Sequence, residues 1–371
     1  MNIIDNVWRS LAFIIAASLV SPVVHAEIKI GIAVPLSGSA MATGEQTDFG
    51  AQKAISDLNN NGGLLGQQID FISVDDACEP NQAEAVARQL VSEGVIFVVG
   101  HVCSGASIAA MGVYEEAGII MTSPASTNPK VTDEGGSNIF RVIGRDDQQG
   151  TVAGDYLVDN HASGKIAIIH DGEAYGQGLA EFTKRQLNKR GVTEVMYESY
   201  TGEQNEYTAL VSKMQTEGID VLYAGGYQDD IALIIRQAKE TIPNLKLISG
   251  DALVSDDFIV IAGEAGEGTY FTFGPDIRSK PEAASVVAAF REEDAFEPDG
   301  FTLYSYGAVQ AWSQAVQQAG SLESEAVIAA LQTGSFDTVL GKIGFDDKGD
   351  VTGVENFIWY VFEEDKYVPA E

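Results

Sequence analysis

Basic residues are scarce in this sequence. The chain of 371 residues has 22 lysines and arginines against 54 aspartates and glutamates, which gives a formal net charge of −32. This charge argues against nucleic acid or an anionic membrane surface as a partner, because both are polyanions. The apolar fraction of 45% is ordinary for a chain that buries a core, and it excludes a disordered or collagen-like protein.

Long hydrophobic runs are also missing. A membrane-spanning helix needs about 20 apolar residues, and the nearest case is the shorter run at 11–20. This run follows Arg9 and is followed by small residues at 24–26, a pattern typical of a secretory signal peptide. We therefore predict that residues 1–26 are a signal peptide, cleaved after Ala26.

Cysteine is nearly absent, with two residues at positions 78 and 103. In an exported protein Cys78 and Cys103 most simply form a disulfide with each other. Closing this loop of about 25 residues is worth roughly 3 kcal/mol. The alternatives are a reactive thiol, or a metal ligand paired with His101. The second is weak, because no further His or Cys is nearby in the sequence, and we predict neither a metal site nor a cofactor.

Catalytic motifs are lacking as well. The sequence contains no G-x-S-x-G elbow, no phosphate-binding G-x-x-x-x-G-K-[ST], no H-E-x-x-H, and no G-x-G-x-x-G after a strand. His170 at a strand end is expected to be structural. The acidic pair Asp75-Asp76 is expected to lie on the solvated surface. The sequence therefore predicts a protein that is not an enzyme, with an exported enzyme as the weakest alternative.

What the sequence does contain is an alternation of short apolar strands with amphipathic helices, in two successive blocks. The first block predicts strands at 29–36, 68–74, 95–99, 119–122 and 139–143, with helices around 51–58, 81–90 and 104–117. The second predicts strands at 165–170, 192–200, 220–224, 245–248 and 268–273, with helices at 178–189, 206–217 and 231–238. The remainder predicts helices at 281–294, 301–319 and 324–331 and a strand at 356–362. Asn81 and Glu84 resemble a capping box. Two such blocks indicate an α/β protein with two lobes, each a parallel sheet covered by helices.

Polar residues follow several of these strands. Ligands of open α/β sheets bind at the carboxyl ends of the strands, so facing lobes would enclose a cleft that hinge closure seals. In the first block a helix opens at Ser104 and a turn follows at 123–127, and their N–H groups and hydroxyls suit a carboxylate. In the second block the strand ends near 171–175, 225–227 and 250–251 supply two phenols and a carboxylate, which suit an ammonium group. The pattern predicts a bound zwitterion.

Specific segments then run in the order of a known family. They are VDDACEPNQA (74–83), GHVCS (100–104), SPAST (123–127), RVIGRDDQQG (141–150), HDGEAYGQGLA (170–180), YAGGYQDD (223–230) and SFDTVLGKIGFDDKGD (335–350). In these segments the chain after residue 26 resembles the periplasmic leucine/isoleucine/valine-binding proteins of ABC importers.

The resemblance implies a fold and a function. The fold would be two Rossmann-like lobes joined by three crossings, with lobe 1 at 27–145 plus 275–355 and lobe 2 at 146–274 plus 356–371. The disulfide between Cys78 and Cys103 would lie in lobe 1. The protein would be a periplasmic monomer that captures a free amino acid, branched-chain or otherwise aliphatic, by hinge closure. It would deliver this ligand to a permease and its ATPase subunits in the inner membrane.

The resemblance also implies roles for site residues. Ser104 and Thr127 would each offer a hydroxyl and an N–H to the ligand carboxylate, and the carbonyl of Ala125 would accept from the ammonium group. Tyr175 would close over the ligand, and Tyr227 would contact its polar end or form a wall.

Four further positions concern the ammonium group and the ligand side chain. Asp251 stands where the family has a glutamate, Asp146 lies at the first crossing, and Phe301 would line the side-chain pocket. Thr43 occupies a position where family members have an aromatic ring, so the ligand could be larger or more polar. Alternative functions are a ligand-sensing domain, or a binding protein for amides, urea or aromatic acids.

Overall fold

The computed structural model of the chain describes residues 27–355 and 357–370. The predicted signal peptide, residues 1–26, lies outside the described residues. Within the described ranges, no helix combines the length and the apolar character that crossing a bilayer requires.

The first part of the chain builds a five-stranded sheet. Its elements are β1 (Ile28–Val34), α1 (Met41–Asn60), β2 (Ile69–Asp75), α2 (Pro80–Glu93), β3 (Phe97–Gly100), α3 (Ser104–Ala117), β4 (Ile120–Ser123), α4 (Lys130–Asp133) and β5 (Ile139–Arg141). The strand order is β2-β1-β3-β4-β5, and all pairs are parallel, with Ile30 opposite both Phe71 and Phe97. We call the part of the molecule built on this sheet lobe 1.

The second part builds another sheet. Its elements are α5 (Asp146–His161), β6 (Ile166–His170), α6 (Ala174–Lys189), β7 (Met196–Ser199), α7 (Thr208–Glu217), β8 (Val221–Gly225), α8 (Gln228–Thr241), β9 (Lys246–Ser249), α9 (Asp256–Ala262) and β10 (Tyr270–Phe273).

The remaining elements are α10 (Ala284–Glu293), α11 (Thr302–Ala319), α12 (Ser324–Thr333), β11 (Phe336–Thr338), β12 (Gly341–Phe345), β13 (Val351–Thr352), β14 (Ile358–Glu363) and β15 (Lys366–Pro369). The second sheet has the order β15-β14-β10-β9-β8-β6-β7, and we call the part built on it lobe 2.

The chain passes between the lobes three times, between β5 and α5, between β10 and α10, and between β13 and β14. The segment from α10 to β13 returns to lobe 1, where Phe290 of α10 packs on Phe49 of α1 with ring centroids 5.6 Å apart. In the same layer Trp312 of α11 stacks on Phe97 of β3 at 4.5 Å. The α/β fold of two lobes is therefore confirmed, while the boundaries given above stay a prediction.

Helix α1 approaches α11 closely because Gly50 has no side chain. A Cβ atom built there would lie 2.0 Å from the carbonyl oxygen of Thr302, so any other residue would force the helices apart. The helix also begins at Met41, well before the apolar periodicity that predicted it. Its first turns bury polar residues such as Gln46 and Thr47, which the hydrophobic pattern could not reveal.

Other sequence expectations were wrong in detail. Helix α2 begins at Pro80 with Glu79 as its N-cap, so Asn81 lies inside the first turn and does not cap it. Strands β14 and β15 run antiparallel to their neighbours, and β11 to β13 form a small antiparallel sheet that was not predicted. The predicted disulfide is present and joins Cys78, after β2, to Cys103, immediately before α3, with Cα atoms 5.4 Å apart.

Candidate functional site

A cleft of about 270 Å³ brings together most of the residues that the sequence predicted for a binding site. It is lined by Thr43, Val102, Ser104, Ala125, Tyr175, Tyr227, Asp251, Ala252 and Phe301. These residues come from both lobes, and all except Phe301, which precedes α11, follow the carboxyl ends of strands, as expected for open α/β sheets. This space includes solvent at the open mouth of the cleft. Its lining is mostly apolar with a few polar groups, as is usual for small-molecule sites.

The lobe 1 wall centres on the start of helix α3. Ser104 is its first residue, and the preceding Cys103 makes no side-chain capping hydrogen bond. The first N–H groups of a helix have no helical partners, so here they are free to bind a ligand. The Oγ atom of Ser104 accepts the backbone N–H of Asn128 at 3.2 Å, which leaves its own hydroxyl hydrogen to donate. Free N–H groups and the helix dipole favour an anionic group at this point.

A buried histidine supports the lobe 1 wall through hydrogen bonds. The Nδ1 atom of His101 lies 2.6 Å from a carboxylate oxygen of Asp76, and its Nε2 atom lies 3.0 Å from the hydroxyl of Tyr114. The carbonyl of His101 accepts the hydroxyls of Ser123 at 2.6 Å and Ser126 at 3.1 Å. Asp76 is 0% exposed, so the expectation that the Asp75-Asp76 pair is surface-solvated was wrong for its second member. The carbonyl of His101 therefore ties the turn after β4 to the loop after β3, while Asp76 and Tyr114 fix the imidazole.

No group of three or more His, Cys, Asp or Glu side chains in the described part of the chain is arranged to hold a metal ion. His101 has a partner on each ring nitrogen, and Cys103 is in the disulfide. Both residues of the H-x-C pattern are thus engaged in structural contacts.

Arg141 fixes the turn that follows β4. Its Nη1 atom donates to the carbonyls of Ser126 and Asn128, at 2.9 Å each, and so brackets Thr127. Its Nε atom donates to Asp350 at 2.6 Å, and the guanidinium group is fully buried. Because a planar guanidinium donates in fixed directions, its bonds to the carbonyls of Ser126 and Asn128 determine the course of the turn.

Thr127 and Asp146, two predicted site residues, are not among those that line the cleft. They are adjacent, since the N–H of Asp146 donates to the carbonyl of Thr127 at 2.9 Å, and both are 0% exposed. Within the described residues the hydroxyl of Thr127 and both carboxyl oxygens of Asp146 have no hydrogen-bond partner. Burial, and next the charge of Asp251, raise the pKa of Asp146 well above its ordinary value.

The lobe 2 wall centres on Asp251, which is 3% exposed. Its Oδ1 atom accepts hydrogen bonds from Gln149 Nε2 and from the hydroxyl of Tyr175, at 2.8 Å each. Burial raises the pKa of Asp251 to about 6, against the lowering effect of these two hydrogen bonds. The hydroxyl of Tyr175 also accepts the N–H of Ala252 at 3.2 Å, and its ring lies 5.4 Å from that of Tyr227. The carboxylate is thus held in one orientation beside two tyrosines.

The rest of the cleft is largely apolar. Phe301 is 1% exposed and packs edge-to-face on Phe273 at 5.0 Å, while its N–H donates to Oε1 of Gln46 at 3.1 Å. Thr43 lies in the first turn of α1 and adds a methyl and a hydroxyl to this part of the wall. With Val102 these side chains form a surface suited to an aliphatic group.

Three residues of the site were missed by the sequence reasoning. Val102 and Ala252 both line the cleft. Val102 lies within the segment GHVCS, and Ala252 directly follows the predicted residue Asp251, so these positions were the available signal. Gln149, which orients Asp251, lies three residues after Asp146 and therefore on the same face of α5.

Comparison with known proteins identifies the family that the sequence segments resemble. A family model described as "Periplasmic binding protein" matches residues 27–365. A Leu/Ile/Val-binding protein homolog from Brucella suis is 43% identical over 345 residues, which cover 92% of this chain and 93% of that protein.

Two solved structures are similar over most of the chain. The leucine binding protein LivK of Thermotoga maritima is 25% identical with a TM-score of 0.84, covering 93% of this chain and 98% of that one. The branched-chain amino acid transporter substrate binding protein LivJ of Streptococcus pneumoniae, in complex with isoleucine, is 25% identical with a TM-score of 0.82, covering 92% and 98%. The family match, the relative and the shared fold together establish that this chain belongs to the periplasmic binding protein family.

Proposed function

We propose that this protein is the substrate-binding component of an ABC importer and holds a free amino acid, branched-chain or otherwise aliphatic, in the cleft. The observation that carries the proposal is the pairing of opposite chemistry across one small cleft. The N-terminus of α3 at Ser104 offers hydrogen-bond donors, and Asp251 offers a buried carboxylate. The names of the Brucella and Streptococcus proteins support the ligand class.

The ligand carboxylate would bind at the start of α3, with the hydroxyl and N–H of Ser104 as donors. Thr127 would add a second hydroxyl, since its Oγ1 atom has no partner among the described residues. The ammonium group would bind Asp251 and the carbonyl of Ala125. Asp146 would assist from the crossing, where its carboxyl group also has no hydrogen-bond partner among the described residues.

The ligand side chain would lie against Val102 and Phe301, with Thr43 at the edge. Burying an aliphatic side chain of this size contributes about 1.5–3 kcal/mol. Tyr175 and Tyr227 would close over the polar end of the ligand and exclude water, which strengthens its contact with Asp251. Because Thr43 is smaller than a ring, this side of the pocket would accept broad side chains such as those of leucine and isoleucine.

The protein would work as a periplasmic monomer, after cleavage behind Ala26. Its partners would be a permease and its ATPase subunits in the inner membrane, and hinge closure around the ligand would present both lobes to that permease. The bound amino acid would be released unchanged, without a covalent step.

Calorimetric titration of the mature protein tests this function. The protein is first unfolded and refolded to remove any ligand that co-purifies, then titrated with leucine, isoleucine, valine, small amides, urea and benzoate. We expect saturable binding of the aliphatic amino acids. When the free ligand is at a hundredfold excess over its Kd, the free energy of unfolding should rise by about 2.7 kcal/mol. Binding of an amide, urea or benzoate without any α-amino acid would refute the assignment in favour of that ligand class.

A further inference from the structure

Two side-chain amides of lobe 1 reach across to backbone carbonyls of lobe 2. The Nδ2 atom of Asn128 donates to the carbonyl of Ala174 at 2.6 Å, and the Nε2 atom of Gln46 donates to the carbonyl of Val254 at 3.3 Å. Asn128 is 6% exposed and Gln46 is 8% exposed, yet neither lines the cleft. Both bonds therefore join the lobes beside the ligand site without being part of it.

The amide of Asn128 is held in position by its own lobe. Its N–H donates to the hydroxyl of Ser104 at 3.2 Å, and its carbonyl accepts from Arg141 at 2.9 Å. Its Oδ1 atom accepts the N–H of Lys130 at 3.0 Å, which leaves the Nδ2 group directed at α6. The donor is thus oriented before the lobes meet, so that little side-chain freedom is lost when the bond forms.

Helix α6 leaves room for this amide. A Cβ atom built on Gly178 would lie 2.6 Å from Nδ2 of Asn128, closer than the two atoms can approach. Gly178 lies one helical turn after Ala174, so both residues of α6 face the same amide. Glycine weakens a helix interior relative to alanine, and here its absence of a side chain is what admits the group from the other lobe.

We propose that Asn128 and Gly178, with Gln46 at the other side of the cleft, form a closure latch that sets ligand affinity without touching the ligand. The inference rests on the proposed function, because it concerns the closed arrangement in which the ligand is held. The latch lowers the free energy of the closed arrangement, and apparent affinity scales with the fraction of molecules that can close. These are positioning residues, and they act through the equilibrium between open and closed forms.

The test compares Asn128→Ala, Gly178→Ala and the double variant with wild-type protein, using leucine as the probe. Loss of one buried hydrogen bond predicts that Asn128→Ala raises Kd about five- to tenfold, mainly through faster dissociation. Gly178→Ala is expected to raise Kd at least as much, because its methyl group meets the amide. In the double variant this clash is gone, so Kd should be lower than the product of the two single effects predicts.

Stability separates a latch from a merely structural role. Gly178→Ala should leave the ligand-free protein at least as stable in urea as wild type, since it replaces a helical glycine, while its affinity falls. Gly112→Ala is the matched control, because Gly112 lies in α3 with nothing within 4 Å of its Cβ position. This control should gain similar helix stability and keep wild-type affinity.

Small-angle X-ray scattering without ligand tests the latch independently of binding. Asn128→Ala should have a larger radius of gyration than wild type and Gly112→Ala. If wild type binds no amino acid, the proposed function fails, and equal radii then also overturn the latch. If wild type binds leucine and both single variants match its Kd and dissociation rate, the latch is wrong and the proposed function stands.

Discussion

Replacing Asp251 by asparagine separates the role of its charge from the role of its shape. The carboxylate accepts two hydrogen bonds through one oxygen, from Gln149 and Tyr175, at 2.8 Å each. An asparagine carbonyl in the same place can accept both. Asp251→Asn therefore removes a negative charge from the cleft while preserving its volume and its local hydrogen bonds.

The loss in affinity follows from the buried position of this charge. A hydrogen bond to a charged group contributes about 1.5–3 kcal/mol, which corresponds to about 10- to 150-fold in Kd. Asp251 is 3% exposed, so solvent does little to screen its attraction for an ammonium group. We expect the Kd for leucine to rise by at least tenfold in the variant.

The stability of the ligand-free protein should change in the opposite direction. Burial raises the pKa of Asp251 from 3.8 to about 6, so folding favours its protonated form. This contribution of Asp251 to the free energy of unfolding is complete below the unfolded pKa near 3.8 and is lost as pH rises through about 6. The loss is on the order of 3 kcal/mol by pH 7. Asparagine carries no such penalty, so the variant should be more stable than wild type at pH 7.

Two measurements at pH 7.5 decide the matter. Calorimetry with leucine gives the affinity, and urea unfolding of the ligand-free protein gives the free energy of unfolding. Asp70→Asn, the same chemical change on an exposed residue of β2, is the control and should alter neither quantity. Weaker binding together with lower stability would refute the reasoning, since it would mean that Asp251 acts through the fold and not through its charge.

Three further outcomes follow from the structure. In wild-type protein the affinity for leucine should fall as pH drops below about 6, because Asp251 takes up a proton. The fall should reach up to tenfold per pH unit, and an affinity that stays constant between pH 5 and 7.5 would contradict this. Replacing Cys78 and Cys103 together by serine should lower the free energy of unfolding by about 3 kcal/mol, measured in urea, with unchanged stability as the opposing result. Arg141→Gln should lower the free energy of unfolding by about 3 kcal/mol, and it should weaken leucine binding because the turn that Arg141 holds becomes looser. In the same assays Arg88→Gln, which breaks an exposed ion pair, should lower the free energy of unfolding by less than about 1 kcal/mol.

The elements that bury apolar faces could be read from the sequence. Helix α3 has the predicted bounds, 104–117, and Gly118 ends it in a left-handed conformation. Strands β6 and β8 consist entirely of buried residues and were predicted within one residue at each end. Hydrophobic patterning succeeds where burial in the core is what determines the structure.

The parts that face the cleft could not be read in the same way. The first turns of α1 bury Thr43, Gln46 and Thr47, which carry no apolar periodicity, so the start of this helix was missed. The contact of Asn128 with Ala174 joins residues 46 positions apart, and no local pattern encodes it. The residue types of the site were found through segments shared with a family, while their mutual distances depend on how two lobes meet.

The ion pair between Arg141 and Asp350 has a consequence for how the chain folds. The two residues are 209 positions apart, and Arg141 cannot bury its charge until the segment around β13 is available. Lobe 1 therefore cannot be completed during synthesis of its own first half. Contacts of such long range also slow folding, because the loop between them must close first. The chain should stay in an incompletely folded form until nearly its full length has been made, a state compatible with passage through a membrane before folding.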